Sequence, residues 1–132
     1  MSGFAGNGVF GFRYNKSQKN QALNNIKLLG LETIVEKSFS ELSGGQQQKV
    51  LLCRALCAAK KVLLLDEPVT SLDESAAEEM YALIKKLNDT GLAVIMISHD
   101  IPRALCDAKH VLSLSDNGFY YGEKQDYVKG EM

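Results

Sequence analysis

The sequence predicts an α/β fold: a parallel sheet covered by helices on both sides. Three observations carry this. Val62-Leu63-Leu64-Leu65-Asp66 and Leu92-Ala93-Val94-Ile95-Met96-Ile97-Ser98 are apolar without alternation, as in strands buried on both faces. Between them lies an amphipathic stretch from about Asp73 to Asn88, ended by Asp89-Thr90-Gly91, so the two strands read as adjacent and parallel. Upstream, Ser43 to about Ala59 carries Val50, Cys53, Leu56 and Cys57 on one side, with Leu51, Leu52 and Ala55 widening the stripe. A helix this apolar is buried in a larger body.

In chain order, Met1 to about Tyr14 holds four glycines among aromatics and reads as a loop. Its Gly6-x-Gly8-x-x-Gly11 is a formal dinucleotide fingerprint, but that pattern needs a preceding strand and a following helix, and five residues precede it. Gly11-Phe12-Arg13-Tyr14-Asn15-Lys16-Ser17 mimics the end of a phosphate loop, with the lysine one residue early and Asn15 in place of the second glycine. Both matches are rejected. Ser17 reads as the N-cap of a helix with Ala22, Leu23, Ile26 and Leu29 on one face, closed by Gly30. A short helix from Glu32 to Lys37 follows. Asp100 is placed to cap a further helix with Pro102 in its first turn. The tail alternates through Val111-Leu112-Ser113-Leu114-Ser115, turns at Asp116-Asn117-Gly118 and returns through Phe119-Tyr120-Tyr121, a half-exposed hairpin. Lys124 to Met132 reads as a short helix or a frayed end.

The bulk numbers exclude several classes. A chain of 132 residues, 45% hydrophobic, supports one modest domain. Fifteen basic and 16 acidic residues are well mixed, with a net charge of −1, which argues against a broad nucleic-acid or anionic-membrane footprint. Three cysteines, Cys53, Cys57 and Cys106, form no C-x-x-C pair. Cys53 and Cys57 lie one helical turn apart, but in an apolar helix with no histidine nearby, so they read as packing residues in a reducing compartment. The glycine-rich, uncharged N-terminus shows no secretory signal, and no apolar run approaches the ~20 residues of a membrane span. The expectation is a cytoplasmic protein, at most docked on a membrane partner.

Two stretches carry chemistry. Ser43-Gly44-Gly45 caps the long helix and leaves unpaired N–H groups at its positive end, where phosphate is the natural ligand. The glycines let the backbone approach closely. Asp66 and Glu67 emerge at the carboxyl end of an apolar strand, where ligands of parallel sheets bind. Adjacent strand side chains point to opposite faces, so the two carboxylates cannot share one role. Pro68 biases Glu67 toward an extended backbone.

Leu42-Ser43-Gly44-Gly45-Gln46-Gln47-Gln48-Lys49-Val50, followed by Arg54-Ala55-Leu56, and then Val62 to Pro68 resemble the signature and Walker B motifs of the ATP-binding-cassette (ABC) ATPases. The resemblance implies a P-loop NTPase-like fold using ATP and Mg²⁺. It implies that Ser43, Gly44, Gly45 and Gln46 close over the γ-phosphate of nucleotide on a second subunit, giving a head-to-tail dimer. Asp66 would order the Mg²⁺ shell through water, and Glu67 would polarise the attacking water. Ser71-Leu72-Asp73 resembles the D-loop, whose aspartate links the two active sites, and His99 takes the place of the switch histidine on the γ-phosphate. Lys49 for the commoner arginine and Ser71 for alanine or glycine are the departures. His110 receives no role.

The family's Walker A loop, its adenine-stacking aromatic and its glutamine loop are absent, and no Gly-Lys dipeptide occurs. The expectation is an incomplete cassette: about residues 1–42 as a helical-subdomain remnant and about 43–132 as the signature helix, Walker B strand, D-loop, H-loop and C-terminal strands. Alone it should not hydrolyse ATP, and its unpartnered strands should expose apolar surface. The stretch from Gly8 to Leu23, with Leu28-Leu29-Gly30-Leu31, is similar to ATP-binding subunits of bacterial zinc and manganese importers. That implies metal-ion import with a transmembrane permease, on the inner face of the membrane. Two other readings stay open: a soluble ABC ATPase acting on ribosomes or chromosomes, and a non-catalytic regulatory remnant.

Overall fold

The computed structural model describes residues 15–130. The glycine-rich opening and the Gly6-x-Gly8-x-x-Gly11 match therefore lie outside the described residues. Helix α1 (Lys16–Leu28) is capped by Asn15 rather than Ser17. Asn15 Oδ1 accepts from the Gln18 N–H and Gln18 Oε1 accepts from the Asn15 N–H, each at 2.9 Å. Such a reciprocal box needs Gln or Glu three residues after the cap, and Ser17 has Asn20 there. Gly30 ends the helix at φ 65°. Leu29 is buried and Ile26 packs against the core, whereas Leu23, expected on the same face, is exposed. The helix expected from Glu32 to Lys37 is a single 3-10 turn, Glu32–Ile34, that buries Ile34. A second 3-10 turn, Phe39–Glu41, follows, boxed by Ser38 and Glu41.

Helix α2 (Gly44–Ala58) starts at its Ser43 cap, as expected, and buries Leu52, Cys53 and Leu56. Cys57 departs from the expected packing stripe. It is exposed, and what meets it from α1 is a polar side chain rather than an apolar one, its Sγ accepting from Asn25 Nδ2 at 3.5 Å. Strands β1 (Val62–Asp66) and β2 (Ala93–Ile97) pair in parallel with Leu64 opposite Ile95. Helix α3 (Glu74–Asp89) connects them. Asp73 caps it by accepting from the Ala76 N–H at 2.9 Å, and it buries Met80, Tyr81, Ile84 and Leu87.

The core joins Leu29, Leu31 and Ile34 to Leu52 and Leu56 of α2, Leu63 of β1 and Met80, Ile84 and Leu87 of α3. Leu65, Val94 and Met96 pack against it. Among the described residues helices cover this face of the strand pair. On the other face Val62, Leu64, Ile95 and Ile97 are exposed, as the expectation of uncovered apolar surface requires. Helix α4 (Ile101–Asp107) leads to an antiparallel hairpin of β3 (His110–Ser115) and β4 (Gly118–Glu123), with Asp116 and Asn117 as its loop. Helix α5 (Lys124–Lys129) ends at Gly130, φ 75°. No helix among the described residues is long and apolar enough to cross a membrane.

Candidate active site

The carboxyl ends of β1 and β2 run directly into the residues singled out by sequence. The Glu67 N–H donates to the Ile97 carbonyl at 3.0 Å, extending the strand pairing by one bond. Glu67 is nevertheless not extended, as its position before proline suggests, but left-handed at φ 47°. The chain must leave the strand and turn at once: Thr70 N–H donates to the Glu67 carbonyl at 3.4 Å, and Thr70 Oγ1 donates to Glu67 Oε2 at 2.7 Å. A left-handed non-glycine residue costs about 1–2 kcal/mol and persists where its surroundings over-determine it, commonly at functional sites.

The same Oε2 lies 2.8 Å from Nδ1 of His99, two residues beyond β2. Two groups, one from the turn after β1 and one from beyond the end of β2, thus converge on one oxygen. The Thr70 bond and, after it, the His99 bond hold the Glu67 carboxyl below its usual range, while Glu67 pushes the His99 imidazole up. The pair therefore favours a carboxylate beside an imidazolium. A cleft of about 420 Å³ opens here between α3 and α4, lined by Glu67, Thr70, Glu78, Tyr81, His99 and Arg103 among others. A carboxylate with its orientation fixed by two hydrogen bonds, beside a group that donates when charged, can polarise a water and stabilise an anion.

Asp66, one residue earlier, goes to the other side. It ends the exposed row of Val62 and Leu64, in register with Ile97, and does not line the cleft. Among the described residues no cluster of three His, Cys, Asp or Glu side chains is placed to hold a metal ion. A lone strand-end carboxylate instead fits Mg²⁺ held through water and phosphate, since that ion keeps much of its hydration shell.

The Ser43 stretch is placed away from the Glu67–His99 pair, against the start of α3. Ser43 Oγ accepts from the Gln46 N–H at 3.3 Å and Gln46 Oε1 from the Ser43 N–H at 3.0 Å. A Cβ on Gly44 would meet nothing nearer than Leu72 Cδ2 at 3.9 Å, whereas one on Gly45 would come within 3.3 Å of Ala76 Cβ. Gly45 is thus where α2 and α3 approach closely. Lys49 binds Glu79 of α3 at 2.5 Å, so the departure from arginine has a partner. Asp73 sits at this junction as the α3 cap.

Two residues of the site escaped sequence reasoning. Thr70 was signalled only by its place three residues after Glu67, the spacing of a turn. Arg103 lines the cleft from α4 and bonds Glu78 across a 25-residue separation that no local pattern reports. His110 lies on the hairpin, stacked on Tyr121 with ring centroids 6.3 Å apart.

Comparison with known proteins covers this region. A family model described as ABC transporter matches residues 4–70. A spermidine/putrescine import ATP-binding protein of Mesoplasma florum is 36% identical over 113 residues, 82% of this chain and 32% of that protein. A zinc import ATP-binding protein of Ehrlichia chaffeensis is 34% identical over 120 residues, 89% of this chain and 50% of that protein. Other matched relatives are named for molybdenum import and macrolide export. Among solved structures, a putative metal-chelate type ABC transporter in an inward-facing conformation superposes with a TM-score of 0.80 at 27% identity, covering 86% of this chain and 46% of that one. A dimeric post-hydrolysis ATP-binding cassette bound to ADP and Pi gives 0.68 at 30% identity, covering 87% and 50%. The chain thus spans half or less of the length of these relatives, from 18% of the macrolide export protein to 50% of the zinc import protein.

Proposed function

From the premise that this chain belongs to the ABC transporter family, we propose that it supplies the catalytic-base and signature portion of an ATP-hydrolysing transport subunit. The observation that carries this is the convergence of His99 and Thr70 on Glu67 at 2.8 and 2.7 Å. In hydrolysis, water adds to the γ-phosphorus as the bond to the β,γ-bridging oxygen breaks, ADP departs, and the water's proton passes to Glu67. Thr70 holds that carboxylate in place, and His99 as imidazolium donates toward the γ-phosphate oxygens. Positioning and electrostatics are the protein's main contributions to such a reaction. Asp66 would hold Mg²⁺ through water, and the chemistry supplied there would be neutralisation of charge on the phosphates.

The helix start at Ser43, Gly44, Gly45 and Gln46 faces a nucleotide carried by a second subunit, with Asp73 at the seam of that head-to-tail dimer. Exposure of Ser43 and Gly44 supports this use. About residues 1–42 form the helical-subdomain part and about 43–132 the catalytic part. A transmembrane permease would hold the subunit at the inner face of the membrane. For cargo we favour a metal ion, zinc or manganese, supported by the likeness to the zinc import protein and to the metal-chelate type transporter.

The decisive experiment joins this chain to a Walker A half and compares it with its Glu67→Gln variant. Turnover is expected to fall by at least about 10²-fold while ATP-driven dimerisation persists. Undiminished hydrolysis removes Glu67 as the base. Uptake of zinc against putrescine, in cells that depend on this subunit, decides the cargo; putrescine uptake alone overturns the metal reading.

A further inference from the structure

Helix α4 buries no residue, yet the residue that must meet Glu67 sits on its N-terminal flank. Arg103, in its first turn, supplies the missing anchor. Its Nε donates to Glu78 Oε1 at 2.7 Å and its Nη2 to Glu78 Oε2 at 2.8 Å, a fork-to-fork pair that uses both carboxylate oxygens. Its guanidinium also lies 4.5 Å from the ring centroid of Tyr81, which is buried. Glu78 and Tyr81 are three apart on α3 and so share a stripe, across which Arg103 lies. The Arg103 backbone N–H donates to Asp100 Oδ1 at 3.3 Å, tying the stretch that starts at His99 to the same residue. At the far end of α4, Lys124 Nζ donates to the Cys106 carbonyl at 3.1 Å.

We propose that Arg103 is a positioning residue: its fork to Glu78 and its stack on Tyr81 dock α4 against α3 so that His99 reaches Glu67. The inference rests on the reading of Glu67 and His99 as the hydrolytic pair. A hydrogen bond tolerates displacements of only a few tenths of an ångström before it weakens steeply. The seat of α4 therefore decides whether the pair exists. A planar guanidinium gripping two oxygens and an aromatic face fixes distance and orientation together, which the point charge of a lysine does not. Retaining the charge alone is not enough.

The test uses the isotope-labelled chain and the ring signals of its two histidines at one fixed pH. His110, on the hairpin, is the internal reference. Glu67→Gln marks the position of His99 when the contact is lost. Arg103→Lys keeps every charge around the cleft, where Glu67, Glu74, Glu78 and Asp100 face His99, so a movement there reports position rather than field. Arg103→Lys and Glu78→Asp are each expected to carry the His99 signals more than half of the way to the Glu67→Gln position, with His110 unmoved. The reciprocal pair Arg103→Glu with Glu78→Arg should return them. Backbone spectra establish that each chain is folded; should Arg103→Lys not fold, Glu78→Asp, which keeps the charge and shortens the reach, carries the reading. Folded single variants whose His99 signals stay at the original position overturn the clamp alone. A Glu67→Gln chain with unmoved His99 signals overturns the pairing itself, and the clamp with it.

Discussion

On one face of the β1–β2 pair Leu63, Leu65, Val94 and Met96 pack into or against the core, whereas on the other Val62, Leu64, Ile95 and Ile97 each expose more than half of their surface. Leu63 is 3% exposed and its neighbour Leu64 68%, though residue type, strand and backbone pairing are the same. Burial here is set by what lies across from a side chain, and α2 and α3 lie across from only one of the two. An unalternating strand is thus a statement of demand for cover on both faces. The open face, four branched aliphatics wide, is the kind of contiguous apolar patch that marks an interaction surface or an aggregation liability.

The largest effect that sharpens this contrast is thermodynamic. Leu63→Ala empties a packed site and is expected to cost about 3 kcal/mol, against within about 0.5 kcal/mol for Leu64→Ala. Urea unfolding of the two variants reads the difference, and equal losses would break the distinction between the faces. A smaller effect concerns association. Leu64 and Ile95 are register partners, so Leu64→Lys with Ile95→Glu places opposite charges directly across from each other on the open face. The doubly substituted chain should stay monomeric at concentrations where the original sediments as aggregates, with an unchanged urea midpoint. Persistent aggregation would put the sticky surface elsewhere, the exposed Leu112, Leu114, Phe119 and Tyr121 of the hairpin being next in line.

What could be read from the sequence follows the range of the interaction. Ser43 and Asp100 were legible as caps because a cap is decided within three residues, and both accept the expected backbone N–H. The strand spans and their parallel pairing were legible because they rest on unbroken apolar runs. Asn15 was missed in favour of Ser17 although its box with Gln18 was equally local. Cys57 and Leu23 were assigned to a core because periodicity names a face without saying what meets it. The left-handed Glu67 was hidden because Pro68 restrains its neighbour only statistically, while Thr70 and Ile97 impose the turn. Arg103 was illegible for the plainest reason: its partners lie a helix away.

The two faces end in two carboxylates, and here the contrast becomes electrostatic. Asp66 closes the open row and Glu67 turns into the cleft, so a change at each removes one charge at adjacent positions on opposite sides. His99 is held above its ordinary value of 6.5 by Glu67; Glu67 is held below 4.5 first by Thr70, then by His99. The raised histidine contributes stability that is whole below 6.5 and lost as pH rises through its folded value. The lowered carboxyl contributes stability that is whole above 4.5 and lost as pH falls through its own. Between 4.5 and 6.5 both contributions are intact, and the imidazolium–carboxylate contact is at its strongest. Glu67→Gln should therefore bring the His99 titration midpoint back down toward 6.5, read by its ring proton signals, while Asp66→Asn leaves it raised. Equal movement in both variants would mean that His99 responds to the general negative field at the strand ends. Movement in Glu67→Gln alone would mean that the left-handed turn at Glu67, by taking its carboxylate into the cleft while Asp66 stays on the strand, has already separated their tasks before any nucleotide is bound.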